Sequence, residues 1–124
     1  MQQKKEGENL MSEIEKISFQ MIANVGSANA LYMEAVNEAR NGNAEKAELL
    51  MKEGEEWYRN SHKVHADLIM QMAAGKEIPF NMILMHAEDQ LMNSEVIKLM
   101  AEQTIGLYKK VLQMEEKIER LEER

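Results

Sequence analysis

The chain has no cysteine. That absence removes disulfides, thiolate metal sites and cysteine nucleophiles together, and it makes the cytoplasm the simplest expected location. Long apolar runs are missing too. Nothing approaches the roughly 18 residues that a membrane-spanning helix needs, and the first ten residues, MQQKKEGENL, are polar where a secretory signal would be apolar. A soluble, unexported protein with no direct membrane insertion is expected. Basic residues are the minority, 15 against 22 acidic ones, for a formal charge of −7. The overall field therefore repels phosphate backbones, and nucleic acid is not an expected partner. The sequence also lacks a phosphate-cradling glycine loop, an HExxH zinc helix and a serine nucleophile elbow.

Punctuation is scarce as well. One proline, Pro79, and six glycines leave RNGN (40–43) and AAGKEIP (73–79) as the strongest breaks. Between them apolar residues recur at helical spacing, and strictly alternating β-branched runs are absent, which predicts an all-α chain of three helices. At 124 residues and 44% apolar content, one small core is expected. The S-x-x-E spacing of Ser12 and Glu15 predicts the start of the first helix. Its apolar line is Ile14, Ile17, Met21, Val25, Ala28, Tyr32, Ala35 and Ala39. Asn41 and Gly42 suit a left-handed C-terminal cap, and Asn43 suits the N-cap of the next helix. On that second helix, small residues at Gly54 and Ser61 would admit a neighbouring backbone, and Gly75 would end it. Pro79 fits the first turn of the third helix. Short connections make consecutive helices antiparallel neighbours.

The end of the third helix has a tighter period. With Thr104, Val111 and Ile118 at heptad position a, Leu107, Met114 and Leu121 fall at d, while Lys110 and Lys117 at g face Glu115 and Glu122 at e. This pattern suits parallel identical chains; a solvated Glu/Lys-rich helix has a similar composition.

Candidate chemistry centres on three histidines. His62 and His65 lie one turn apart, but two imidazoles without a third ligand are a weak metal signal, and structural or surface roles are favoured. His86 lies in MILMHAEDQLM (82–92), with Asp89 three residues on and on the same side of a helix. The carboxylate can orient the ring and leave its second nitrogen free to attack, or it can simply satisfy a core histidine. The residues alone leave both readings open. The twelve methionines read first as adaptable core and interface filling.

MILMHAEDQLM, with FQMIANVGSANALYMEAVNEARNGNAEKAELLMKEGEE upstream and GKEIPF between, resembles the lactose/cellobiose-type (including chitobiose) IIA component of the bacterial sugar phosphotransferase system. The likeness spans residues 13–114. Its most specific part is the M-H-x-x-D-x-L-M string, supported by NGNAEKA and the position of Pro79.

The resemblance implies an antiparallel three-helix bundle per subunit, assembled as a homotrimer with parallel helices about a threefold axis. It implies a cytoplasmic phosphocarrier in which His86 accepts a phosphoryl group from the histidine-containing phosphocarrier protein and passes it to a cysteine of the IIB component. It also implies that Asp89, with its two copies, binds one divalent cation, Mg2+, at the trimer axis. Residues 1–12 are then expected as a flexible polar arm, and 115–124 as a charged extension of the third helix. The chain departs from the family pattern in two places. Where H-G/A-Q-D-H-L-M is usual it has Glu88 for the glutamine and Gln90 for the second histidine. The helix-two signature A-H-x-x-Q is Ser61-His62-Lys63-Val64-His65. A carboxylate at 88 would repel a phosphoryl group if it faced His86. These departures motivate an alternative expectation, a helical homo-oligomeric regulatory or assembly protein that keeps the fold without phosphotransfer.

Overall fold

The apolar line of the first helix is the spine of the core. In a computed structural model describing residues 1–124, the chain forms three helices and no strand: α1 (Gln2–Arg40), α2 (Ala44–Ala73) and α3 (Met82–Glu122). Ile14, Met21, Val25, Ala28, Tyr32, Ala35 and Ala39 of α1 are all buried, and α1 packs against both other helices.

Four layers of contacts fix the topology. Ile14 meets Leu68 and Leu84; Met21 and Val25 meet Ala87 and Leu91; Ala28 and Tyr32 meet Ala101; Ala35 and Ala39 meet Ala47. As α1 numbers rise, α2 numbers fall and α3 numbers rise, so the bundle runs up, down, up. The last layer is all alanine, which lets α1 and α2 converge toward their three-residue connection, Asn41 to Asn43. Gly42 takes the left-handed conformation there (φ +86°), and Gly75 does so after α2 (φ +96°).

Three boundaries differ from the sequence expectation. α1 begins at Gln2 rather than Ser12, and the polar arm forms its first turns. Residues 2–11 contain no proline, Leu10 packs beside the Ile14–Leu68–Leu84 layer, and the Asn81 amide donates to Met11 Sδ at 3.5 Å. Ser12 and Glu15 are thus interior positions whose backbone donors the helix itself satisfies. Asn43 does not cap α2 through its side chain; its amide donates instead to Glu38 Oε2 at 2.6 Å. α3 begins after Asn81, not at Pro79. Asn81 Oδ1 accepts from the backbone N–H of Ile83 at 2.8 Å and of Leu84 at 3.2 Å, satisfying two of the free donors of the first turn.

Candidate functional site

The packing of the apolar residues of α3 on α1 decides which of its residues face inward. Leu84, Ala87, Leu91 and Ser94, spaced three and four apart, are buried against the bundle, with Ser94 Oγ donating to Asn29 Oδ1 at 2.8 Å. Met82, Met85, His86, Asp89, Met92 and Val96 are left exposed. His86 is therefore not a satisfied core histidine. No group of the chain hydrogen-bonds its ring, and Asp89, three residues on, makes neither a hydrogen bond nor an ion pair with it. The ring nitrogens stand open to a docking partner.

Exposed apolar side chains precede His86 along the chain. Phe80 is 76% exposed, Met82 71% and Met85 51%. Phe80 and Met85 line, with Met72, Ile78, Leu84 and Glu88, a cleft of about 220 Å3 at the α2–α3 end of the bundle. Such flexible, polarizable side chains suit a surface that packs against more than one partner.

Glu88 does not face His86. It is turned toward α2, where its Oε1 lies 3.2 Å from Nε2 of His65, whose side chain is only 16% exposed. The two departures from the helix-two and M-H-x-x-D patterns thus touch each other across 23 residues of chain. A second polar link joins the same helices farther along, where Lys98 Nζ donates to Glu55 Oε1 at 3.2 Å. That hydrogen bond, then the lysine charge, holds the Glu55 carboxyl below the usual carboxylate range. Gln90 is half-buried. His62 is exposed and leans on Tyr58, ring centroids 5.9 Å apart, so His62 and His65 serve different neighbours.

Asp89 stands alone. No group of three or more His, Cys, Asp or Glu side chains within the chain could hold a metal ion. A cation at Asp89 would need further carboxylates from other copies. The position fits that demand: Asp89 is an exposed, unpaired acid in a stripe that continues through Met92, Val96, Met100, Leu107, Val111, Met114, Ile118 and Leu121, all exposed.

Sequence reasoning leaves His65 between structural and surface roles, without naming Glu88 as its partner, and passes over Asn81. The contact of His65 with Glu88 exists only in the folded chain. Asn81, directly before the apolar run MIL, carried a readable cap signal.

Comparisons with known proteins bear on the family and the fold. The profile of a family described as "PTS system, Lactose/Cellobiose specific IIA subunit" matches residues 16–109. The chain is 34% identical over 98 residues to the lactose-specific EIIA component of Staphylococcus epidermidis, covering 79% of this chain and 94% of that protein. It is also 34% identical over 99 residues to the lichenan-specific phosphotransferase enzyme IIA component of Bacillus subtilis, covering 80% and 90% of the two chains. The crystal structure of the cellobiose-specific enzyme IIA from Bacillus anthracis superimposes with a TM-score of 0.78 at 35% identity, over 81% of this chain and 92% of that one.

Proposed function

The chain belongs to the lactose/cellobiose-specific IIA family of the sugar phosphotransferase system, and from that premise we propose that it carries phosphoryl groups on His86. The observation that carries this reading is the exposed, unbonded His86 ring, preceded along the chain by exposed apolar side chains, at the position matching the family's M-H-x-x-D string.

The donor is the histidine-containing phosphocarrier protein and the acceptor a cysteine of a IIB component, for sugars of the lactose, cellobiose or chitobiose type. A neutral imidazole nitrogen of His86 attacks the phosphorus of the donor's phosphohistidine. The new P–N bond forms as the donor's P–N bond breaks. The phosphorylated His86 ring gives up its N–H proton to solvent, and the departing donor ring takes one up from solvent to become neutral imidazole; the reverse exchange accompanies the second step. In the second step the IIB thiolate attacks the same phosphorus, the S–P bond replaces the P–N bond, and His86 leaves as imidazole. Neither step needs a general base on this chain; catalysis lies in positioning the two partners in line. The rim of Phe80, Met82 and Met85 supplies the surface for that docking, and its exposure supports the role.

The working form is a cytoplasmic homotrimer, with the exposed α3 stripe of each subunit turned to a common axis. The length and apolar character of that stripe support this, since monomers seldom expose so extended an apolar surface. Asp89 of each subunit would hold a divalent cation, Mg2+, one per trimer; when bound, the ion neutralises three converging carboxylates that could not otherwise all stay charged. Asp89 itself then contributes an oxygen ligand and no proton. That no helix is long and apolar enough to cross a membrane fits a carrier that meets its transporter from one side. The alternative, an assembly or regulatory protein without phosphotransfer, drew on Glu88, Gln90 and the altered helix-two signature; of these, Glu88 is turned to His65.

Incubation with radiolabelled phosphoenolpyruvate, enzyme I and the histidine-containing phosphocarrier protein tests the reading. Label should enter the wild type and be absent from His86→Ala. Equal labelling of both, or of neither, would sink the assignment.

A further inference from the structure

The geometry points to His65 as a positioning residue of the phosphoryl site: it pairs the Glu88 carboxylate on the α2 side of the cleft lined by Phe80 and Met85, so that a docking partner does not meet that carboxylate unpaired. The inference rests on the phosphocarrier reading above. Residues two apart on an α-helix point about 200° from each other, so Glu88, tied at 3.2 Å to His65, is held away from His86. Its neighbours one turn back are Leu84 and Met85, and it borders the cleft that Met72, Phe80 and Met85 also line. Glu88 keeps a side-chain exposure of 46%. Cut loose from the imidazole, its three-torsion side chain would reach among the exposed Met72, Phe80 and Met85. A docking partner would then have to desolvate an unpaired carboxylate or be repelled by it, and an incoming phosphoryl group would add charge of the same sign.

In the folded chain the two residues are an acid and an imidazole in contact. With Glu88 kept and the imidazole removed, the carboxylate has no side-chain partner. That makes His65 a residue acting through Glu88, not one that touches the transferring group.

Initial rates of labelling by the phosphorylated donor, with this protein as the varied substrate, test the role. His65→Ala should raise KM at least threefold with kcat within twofold of wild type, and His65→Gln combined with Glu88→Gln should bring KM back to within twofold. Circular dichroism shows whether each variant is folded. Should His65→Ala not fold, His65→Gln alone takes its place, expected to raise KM at least twofold and to be rescued by adding Glu88→Gln. Unchanged KM in the single variant, or no rescue in the pair, would overturn the proposal. So would a fall in kcat at constant KM, which would assign His65 to the chemical step. A wild type that takes no label at all would instead overturn the phosphocarrier reading, and this role with it.

Discussion

Gly54 of α2 lies directly against the ring of Tyr32 on α1: a Cβ at position 54 would sit 2.6 Å from Tyr32 Cε1, 2.9 Å from Cδ1 and 3.2 Å from the Ala28 carbonyl oxygen. The first two contacts are with a ring that is fully buried, and the third is with backbone. Alanine is favoured over glycine within a helix by about 1 kcal/mol, while forcing a methyl into a packed interior costs about 1–3 kcal/mol. Overpacking should win at this site. Gly54→Ala is expected to lower stability by about 1–2 kcal/mol, read from chemical denaturation, and Gly54→Leu to prevent cooperative folding. A rise in stability for the alanine variant would mean that the ring can move aside.

The same tyrosine ends in an unpaired hydroxyl. Tyr32 Oη is buried without a hydrogen-bond partner, and burial, then the nearby Glu55 carboxylate, pushes its pKa up to about 12. An unpaired buried hydroxyl costs free energy that phenylalanine would not. Tyr32→Phe should therefore leave stability unchanged or raise it by up to about 1 kcal/mol at neutral pH. The sign of the pH effect follows from the raised value. The neutral hydroxyl favours the folded state fully below the unfolded pKa of about 10, and that contribution is lost as pH rises toward about 12. Wild type should thus lose stability between pH 10 and about 12 more steeply than Tyr32→Phe. Parallel alkaline profiles, or a neutral-pH loss above about 1 kcal/mol, would count against an orphaned hydroxyl.

How far the sequence reveals this depends on the range of the signal. The α1 stripe is legible because one helical period runs uninterrupted from Ile14 to Ala39, and Gly42 is legible because its conformation is one that few other residues adopt. Gly54 and Ser61 read correctly as close-approach positions: Ser61 Oγ donates to the Met21 carbonyl oxygen at 3.0 Å. The Ser12–Glu15 spacing misleads because a capping motif has meaning only where a helix begins, and nothing before Ser12 stops one. At the site, Met82 to Met85 read as a uniformly apolar setting. Whether His86 faces core or water turns on the rotation of α3, which the packing of Leu84, Ala87 and Leu91 on α1 fixes. The His65–Glu88 contact lies beyond any local pattern, because it joins two helices through tertiary packing.

The Glu55–Lys98 link carries an acid-side prediction. A carboxyl held below its ordinary value contributes stability that is present above the unfolded pKa, about 4.3, and is lost as pH falls through the folded one. Lys98→Met should therefore be less stable than wild type at pH 7, by no more than about 1 kcal/mol because both partners are partly solvated. The gap should close by about pH 3. Glu38, lowered by its hydrogen bonds from Asn43 and then Lys46, shifts in the same direction, so the variant should keep part of the acid slope. A gap that persists unchanged at pH 3 would assign the loss to packing of the lysine stem rather than to the charge.

Association through α3 is the prediction with the largest consequence for function. Leu107, Val111, Met114, Ile118 and Leu121 are each at least 41% exposed and follow one another at intervals of three and four. Burying a side chain of this kind contributes about 1.5–3 kcal/mol, and the row has no cover within its own chain. Sedimentation at micromolar concentration should give a trimer for wild type. Leu107→Glu combined with Met114→Glu should give a monomer, because three like charges would meet at each level. Circular dichroism should stay unchanged, since neither side chain supports the bundle. Leu49→Glu is the control: Leu49 is 66% exposed on α2, away from the row, and its substitution should leave the trimer intact. If Asp89 shares a cation at the axis, metal analysis of the dialysed wild type should find one ion per three chains, and Asp89→Asn should lose it. A wild type that sediments as a monomer would defeat the assembly and the shared ion together, because one chain offers no group of three or more such ligands.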